Sequence, residues 1–442
     1  MDWLKASATE QGRAIMAGLV SPVDLADAYL DAIARHPDGA RIYARLTPDR
    51  ARSEAIAAHD RARAGLRRGL LDGVALSWKD NFDSALVATE AGSLLLEGRT
   101  PPTDAGLLAT ACLQGTVCLG KTHMTELAFS GLGLNPPVAT VPNALDPALV
   151  AGGSSGGAAV SVALGLAAAA MGTDTGGSVR VPAAWNGIVG FKPTHGALDM
   201  TGVLPLCRRF DVAGPLARTV EDCAEIVALL RGETGPDLRG AEARGLRLMV
   251  LDGAPFDEAR DAPVAAFEEA VAALAAAGAR ITHAAPDCVG RALALSPTLF
   301  APEAYGIWRD QIEAAPELMF PPMLDRFRGG QTVGAADYVA GWETLARLRA
   351  DWAAAVAPFD AVILPTVAIM PPDAARLERD AAFFAAENLL ALRNTRIANL
   401  LGLPAITLPT RRPACGVMLM GRAGADRALL RTAAGAESAL RD

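Results

Sequence analysis

The chain has 442 residues, is 51% hydrophobic and 20% charged, and carries a net charge of −8 with a mean hydropathy of +0.24. That composition supplies apolar surface for a large core and excludes a disordered or fibrous chain. The acidic balance, without long like-charge runs, lacks the basic stripe that nucleic acid or an anionic membrane surface would require, which leaves small molecules or another protein as partners.

The opening residues, Met1-Asp2-Trp3-Leu4-Lys5, carry an acid at once and do not resemble a secretory leader, so a cytoplasmic protein is expected. Ser21-Pro22-Val23-Asp24 reads as a helix start, with a serine cap and a first-turn proline before the stripe Leu25, Tyr29, Ile33. Thr47-Pro48-Asp49 starts a second helix, so residues 1–70 are expected to form a helical segment packed on a core built from residues 71–442.

From Leu71 onward short apolar runs alternate with helical patterns, at 74–78, 117–119, 246–251, 361–364 and 405–408, which predicts an α/β fold with a sheet covered on both faces. Residues 158–171 are apolar but too short to span a bilayer and read as a buried helix. Further helices are expected over 219–232, over 262–277 with Asp261 as cap, and over 382–401. The aromatic-rich stretch 289–352 suits core packing or a pocket wall. The six cysteines contain no C-x-x-C pair and are expected as reduced thiols.

The five histidines form no H-x-x-x-H pair, so no metal is called for, and neither phosphate-binding glycine fingerprint is present, so no cofactor is expected. Two segments instead bring bare backbone to a serine: Ala151-Gly152-Gly153-Ser154-Ser155-Gly156-Gly157 and Gly172-Thr173-Asp174-Thr175-Gly176-Gly177-Ser178-Val179-Arg180. The first also fits the G-x-S-x-G elbow of α/β-hydrolases, for which His195 and His283 would be the downstream histidines, or an anion cradle at a helix start. Only four of the 41 basic residues are lysine. A retained lysine can lose its proton near neutrality when desolvated, which arginine cannot, and Lys79 at the end of an apolar strand is the best placed to do so. A lysine base with serines on glycine turns is a nucleophilic constellation that needs no histidine.

Taken together, Lys79-Asp80-Asn81, the two serine segments and Gly187-Ile188-Val189-Gly190-Phe191-Lys192-Pro193-Thr194 closely resemble the amidase signature family. The similarity extends to the Ser21-Pro22 start, to residues 211–222 and to Asn399-Leu400-Leu401-Gly402-Leu403-Pro404-Ala405, and so covers nearly the whole chain. Departures are His195 after Lys192-Pro193-Thr194, no proline just before Gly152, and no glycine after Pro409.

The resemblance implies a single α/β/α domain around a large, twisted mixed sheet, and hydrolysis of a carboxamide. By motif position it implies Ser178 as nucleophile, Ser154 as bridging serine after a cis peptide from Gly153, and Lys79 as base. It also implies an oxyanion hole from the backbone of Thr175, Gly176, Gly177 and Ser178, and loop support from Ser155, Asp174 and Arg180. Met124, Thr125 and Gly131 fall in the segment that in this family flanks the acyl pocket. A homodimer is a family expectation, and the alternative role is the glutaminase component of a tRNA-dependent amidotransferase complex.

Overall fold

The computed structural model describes residues 2–441. Eleven strands form one mixed sheet: β1 Tyr43–Leu46, β2 Ala75–Lys79, β3 Val117–Thr122, β4 Ala169–Asp174, β5 Val189–Lys192, β6 Val212–Ala217, β7 Arg247–Leu251, β8 Arg280–Ala284, β9 Ala361–Pro365, β10 Ala405–Pro409 and β11 Gly416–Met420. Their order is β1-β3-β2-β4-β6-β5-β10-β11-β9-β7-β8. β3, β2 and β4 run parallel at one end and β9, β7 and β8 at the other, with antiparallel pairs between.

Strand residues divide by the two-residue period between two large cores, one on each face of the sheet. On β7, Leu248 and Val250 join one core while Met249 and Leu251 join the other; β11 does the same with Val417 and Leu419 against Met418 and Met420. Helices cover both faces, giving the α/β/α arrangement, and all six cysteines are free thiols. Among the described residues no helix is long and apolar enough to cross a membrane.

Local signals account for many boundaries. Ser21 accepts from Val23 N at the start of the helix Pro22–Arg35, and Thr219 caps Val220–Arg231, which Gly232 ends at a φ of 65°. Other elements depart from the expectations. The first seventy residues are not wholly helical, because Tyr43–Leu46 forms the edge strand β1 against β3. Thr47 does not cap its helix with its side chain, since its Oγ1 donates 3.0 Å to Cys118 O. Asp261 lies inside the first turn after Arg260 as cap, where its charge still suits the helix dipole.

The expected helix over 158–171 is instead the helix Gly156–Ala163 followed by β4. Gly165, at a φ of 73°, follows the helix end, and the alanines beyond it pair with β2 and β6, so sheet pairing overrides their helical propensity.

Candidate active site

The parallel pairing of β2 with β4 brings Lys79, the last residue of β2, beside the end of β4, from which the turn bearing Ser178 departs. This is the carboxyl-end side of adjacent parallel strands, where open α/β sheets leave a crevice. Ser154 enters from the loop before the helix Gly156–Ala163.

Lys79 is fully buried, with Nζ 2.7 Å from Ser154 Oγ, 2.8 Å from Thr173 Oγ1 and 3.4 Å from Thr173 O. None of these partners is a carboxylate. Burial therefore pushes the amine down to about 7, against the weaker opposing pull of Asp174 and Asp211. An amine lowered toward neutrality and 2.7 Å from a hydroxyl has the geometry of a general base. Asn81 Nδ2 donates 3.1 Å to Thr173 Oγ1 and holds that hydroxyl in place.

Ser154 follows a cis peptide from Gly153. The loop is held where it stands by main-chain bonds: Gly153 N donates 2.7 Å to Gly131 O, Gly152 N 3.1 Å to Leu132 O, and Thr125 N 3.2 Å to Ser154 O. A Cβ on Gly153 would come within 2.8 Å of Gly133 N and Ser130 O, so close approach of the two loops requires glycine there. Ser155 joins the two serine segments, its N donating 3.1 Å to Ser178 O and its Oγ 3.2 Å to Thr173 O.

Asp174 shapes the Ser178 turn. Its carboxylate accepts from Gly177 N at 2.8 Å, Val179 N at 3.1 Å, Arg180 Nη2 at 2.8 Å and Nε at 3.0 Å, and Asn399 Nδ2 at 2.9 Å. Burial pushes this carboxyl up, but the charge and hydrogen bonds of Arg180, together with Lys192 and Asn399, hold it down at about 2. Arg180, itself fully buried, ties the turn onward to Thr395 O at 2.8 Å and Asn399 Oδ1 at 2.6 Å. Replacing Asp174 with alanine leaves a buried arginine unpaired, and is expected to cost about 3–5 kcal/mol. Chemical denaturation of that variant checks this, with turnover lost alongside.

One expectation changes here: the Gly177 N–H is committed to Asp174 and is not free for an oxyanion. The N–H groups of Thr175, Gly176 and Ser178 have no acceptor among the described residues. Thr395 Oγ1 donates 2.7 Å to Gly176 O, and Thr175 Oγ1 2.5 Å to Asp211 Oδ1, which fixes both flanks of the turn. Ser178 Oγ has no hydrogen-bond partner among the described residues, so its link to Ser154 is open whereas the link from Ser154 to Lys79 is made.

Ser178, Thr175 and Gly176 border a cavity of about 360 Å³. Phe129, Leu206, Phe300 and Leu392 give it apolar walls. From the expected acyl-pocket segment Ala128, Phe129 and Ser130 reach the cavity, while Met124, Thr125 and Gly131 do not. Met124 and Gly131 spend their backbone groups on Asn135 and Asn388, at 2.9 Å each. Of the aromatic-rich stretch, Phe300 reaches the cavity whereas Phe327 and Trp352 are core.

Two lining residues were not foreseen: Arg326, from the helix Pro321–Arg328, and Arg396, from the helix Ala381–Leu400. They are the charged residues of the lining, and among the described residues neither has an ion-pair partner or a hydrogen bond. Burial lowers them to about 9 and about 10. Arginine is so abundant in this chain that nothing in the sequence singles these two out.

The histidine alternatives fall away: His195 Nε2 lies 3.1 Å from Arg208 O and His283 lies 3.1 Å from Asp252, and among the described residues neither histidine is hydrogen-bonded to Ser154 or Ser178. Among the described residues no group of three or more metal-ligating side chains is assembled.

The family model described as Amidase matches residues 24–430. The chain is 35% identical over 411 residues to 2-amino-5-chloromuconic acid deaminase of Comamonas testosteroni, covering 88% of this chain and 86% of that one. It is 30% identical over 483 residues to a glutamyl-tRNA(Gln) amidotransferase subunit of Thermobifida fusca, covering 99% and 96%. A solved amidase structure superposes with a TM-score of 0.88 at 30% identity, covering 98% of this chain and 99% of that chain.

Proposed function

The chain belongs to the amidase signature family of hydrolases that act on amide bonds, and on that premise we propose that it converts a carboxamide to a carboxylate and ammonia or an amine through an acyl-enzyme on Ser178. The observation that carries this reading is the buried Lys79 amine, lowered to about 7 and 2.7 Å from Ser154 Oγ, with no carboxylate bonded to it.

Ser178 Oγ attacks the carbonyl carbon while its proton passes to Ser154 and the Ser154 proton passes to Lys79. The oxyanion meets the free N–H groups of Thr175, Gly176 and Ser178, whose positions the Asp174–Arg180 pair fixes beforehand. The same path returns a proton to the amide nitrogen, which leaves poorly unless protonated. Water then attacks the acyl carbon while the relay takes its proton, and that proton passes to Ser178 Oγ as the Oγ–acyl bond breaks and the acid leaves.

The glutaminase reading draws on the likeness to the Thermobifida fusca amidotransferase protein. The cavity lining suits only half of that substrate: Arg326 and Arg396 could meet the carboxylate of glutamine, but among the described residues no acidic side chain lines the cavity to meet its ammonium group. A stand-alone enzyme is favoured, and its free thiols suit the reducing cytoplasm. Ammonia release from aliphatic, aromatic and dicarboxylic amides plus glutamine, with Ser178→Ala as the blank, tests this. Serine-dependent release from an amide other than glutamine is expected; release from glutamine alone, or only with an added partner protein, would overturn it.

A further inference from the structure

Buried and half-buried arginines elsewhere in this chain spend their donors on carboxylates or carbonyl oxygens: Arg50 on Asp104 at 2.8 Å, Arg61 on Asp72 at 2.6 Å, Arg180 on Asp174 at 2.8 Å and Arg349 on Leu400 O at 2.8 Å. Arg326 and Arg396 break that habit in the place where a ligand would sit. The Arg326 Nε–H is buried without an acceptor, and its guanidinium lies over the Phe129 ring at 4.4 Å, a contact that satisfies charge but not the N–H donors. Arg396 sits beside the catalytic turn, its Nε 3.9 Å from where a Cβ on Gly176 would be. Two like charges on an apolar wall, with unmet donors and no acid in the lining, are costly until an anion arrives.

We propose that Arg326 and Arg396 form a carboxylate subsite, so that the substrate is an amide whose acyl part ends in a carboxylate, such as the monoamide of a dicarboxylic acid. The inference rests on the amide hydrolysis proposed above and names the substrate class of that same cavity. The planar guanidinium fork matches a carboxylate with two parallel hydrogen bonds, and Phe129 and Phe300 flank the carbon spacer. A substrate bearing an ammonium group meets two positive charges and is rejected.

The test is a calorimetric titration of the Ser178→Ala protein near neutral pH with the monoamides of butanedioic, pentanedioic and hexanedioic acid, set against butanamide, pentanamide and hexanamide. At least one monoamide is expected to bind tighter than its neutral counterpart by about 10- to 100-fold, the worth of a charge-assisted contact. Adding Arg396→Met or Arg326→Met is expected to collapse that ratio, and Arg396→Lys to restore part of it.

Equal binding of anionic and neutral amides overturns the proposal without needing either arginine variant to fold. So does a variant that weakens both classes alike, which would mark the arginines as structural. Tight binding of a monoamide, with no serine-dependent ammonia release from any amide by the unmodified enzyme, would instead sink the hydrolysis reading and leave the anion subsite standing.

Discussion

Ser178→Ala is expected to lower kcat/KM by at least about 10⁴-fold, the loss typical when an acyl-accepting serine is removed. Stability should stay within about 0.5 kcal/mol, because among the described residues Ser178 Oγ has no hydrogen bond to orphan and the methyl group fits the same space. Ammonia release and thermal melting of the same preparation separate the two effects. A variant that melts normally and still turns over would show that Ser178 is not the nucleophile.

Lys79→Arg is expected to be nearly as damaging, by about 10²–10⁴-fold, the usual contribution of a general base. Guanidinium stays charged near neutral pH, so it cannot take the Ser154 proton there. The same residue sets the pH profile. Below about 7 the Lys79 amine is protonated and the relay has no acceptor, so kcat/KM of the unmodified enzyme should rise with pH through about 7 and then level off. In Lys79→Arg that rise should be missing from whatever activity remains.

Stability carries the same sign. The unfolded lysine holds its proton up to about 10.4, whereas the folded one releases it near 7. Between those values the unfolded state binds more protons, so this group makes the fold more stable as pH rises. Lys192, also buried and lowered to about 7, adds a contribution of the same direction, so the activity profile is the cleaner readout for Lys79.

The general architecture and the chemistry-bearing motifs were legible because they reside in local patterns: strand-length apolar runs, capped helix starts, and glycines beside serines. The division of 158–171 was not, since an alanine-rich run carries no mark of which half will pair with β2 and β6. Nor was β1, four residues whose strand state depends on the remote partner β3.

In the site, residue types at motif positions pointed to Lys79, Ser154 and Ser178 but not to how backbone donors are shared. Asp174 consumes the Gly177 N–H because the turn folds back onto its own carboxylate, a matter of main-chain path. The segment 124–131 was found but its orientation was not, so Ala128, Phe129 and Ser130 face the cavity while Met124, Thr125 and Gly131 do not. Arg326 and Arg396 lie 70 residues apart in sequence, and only folding makes their missing partners visible.

The most direct test of the covalent mechanism is to mix the enzyme with an activated ester, quench in acid within the first turnovers, and map the attached acyl group by peptide mass spectrometry. An acyl group on Ser178, absent from the Lys79→Arg protein quenched at the same time, is the expected result. Acylation of Ser154, or no covalent species while product accumulates in a burst, would contradict a Ser178 nucleophile served by Ser154 and Lys79.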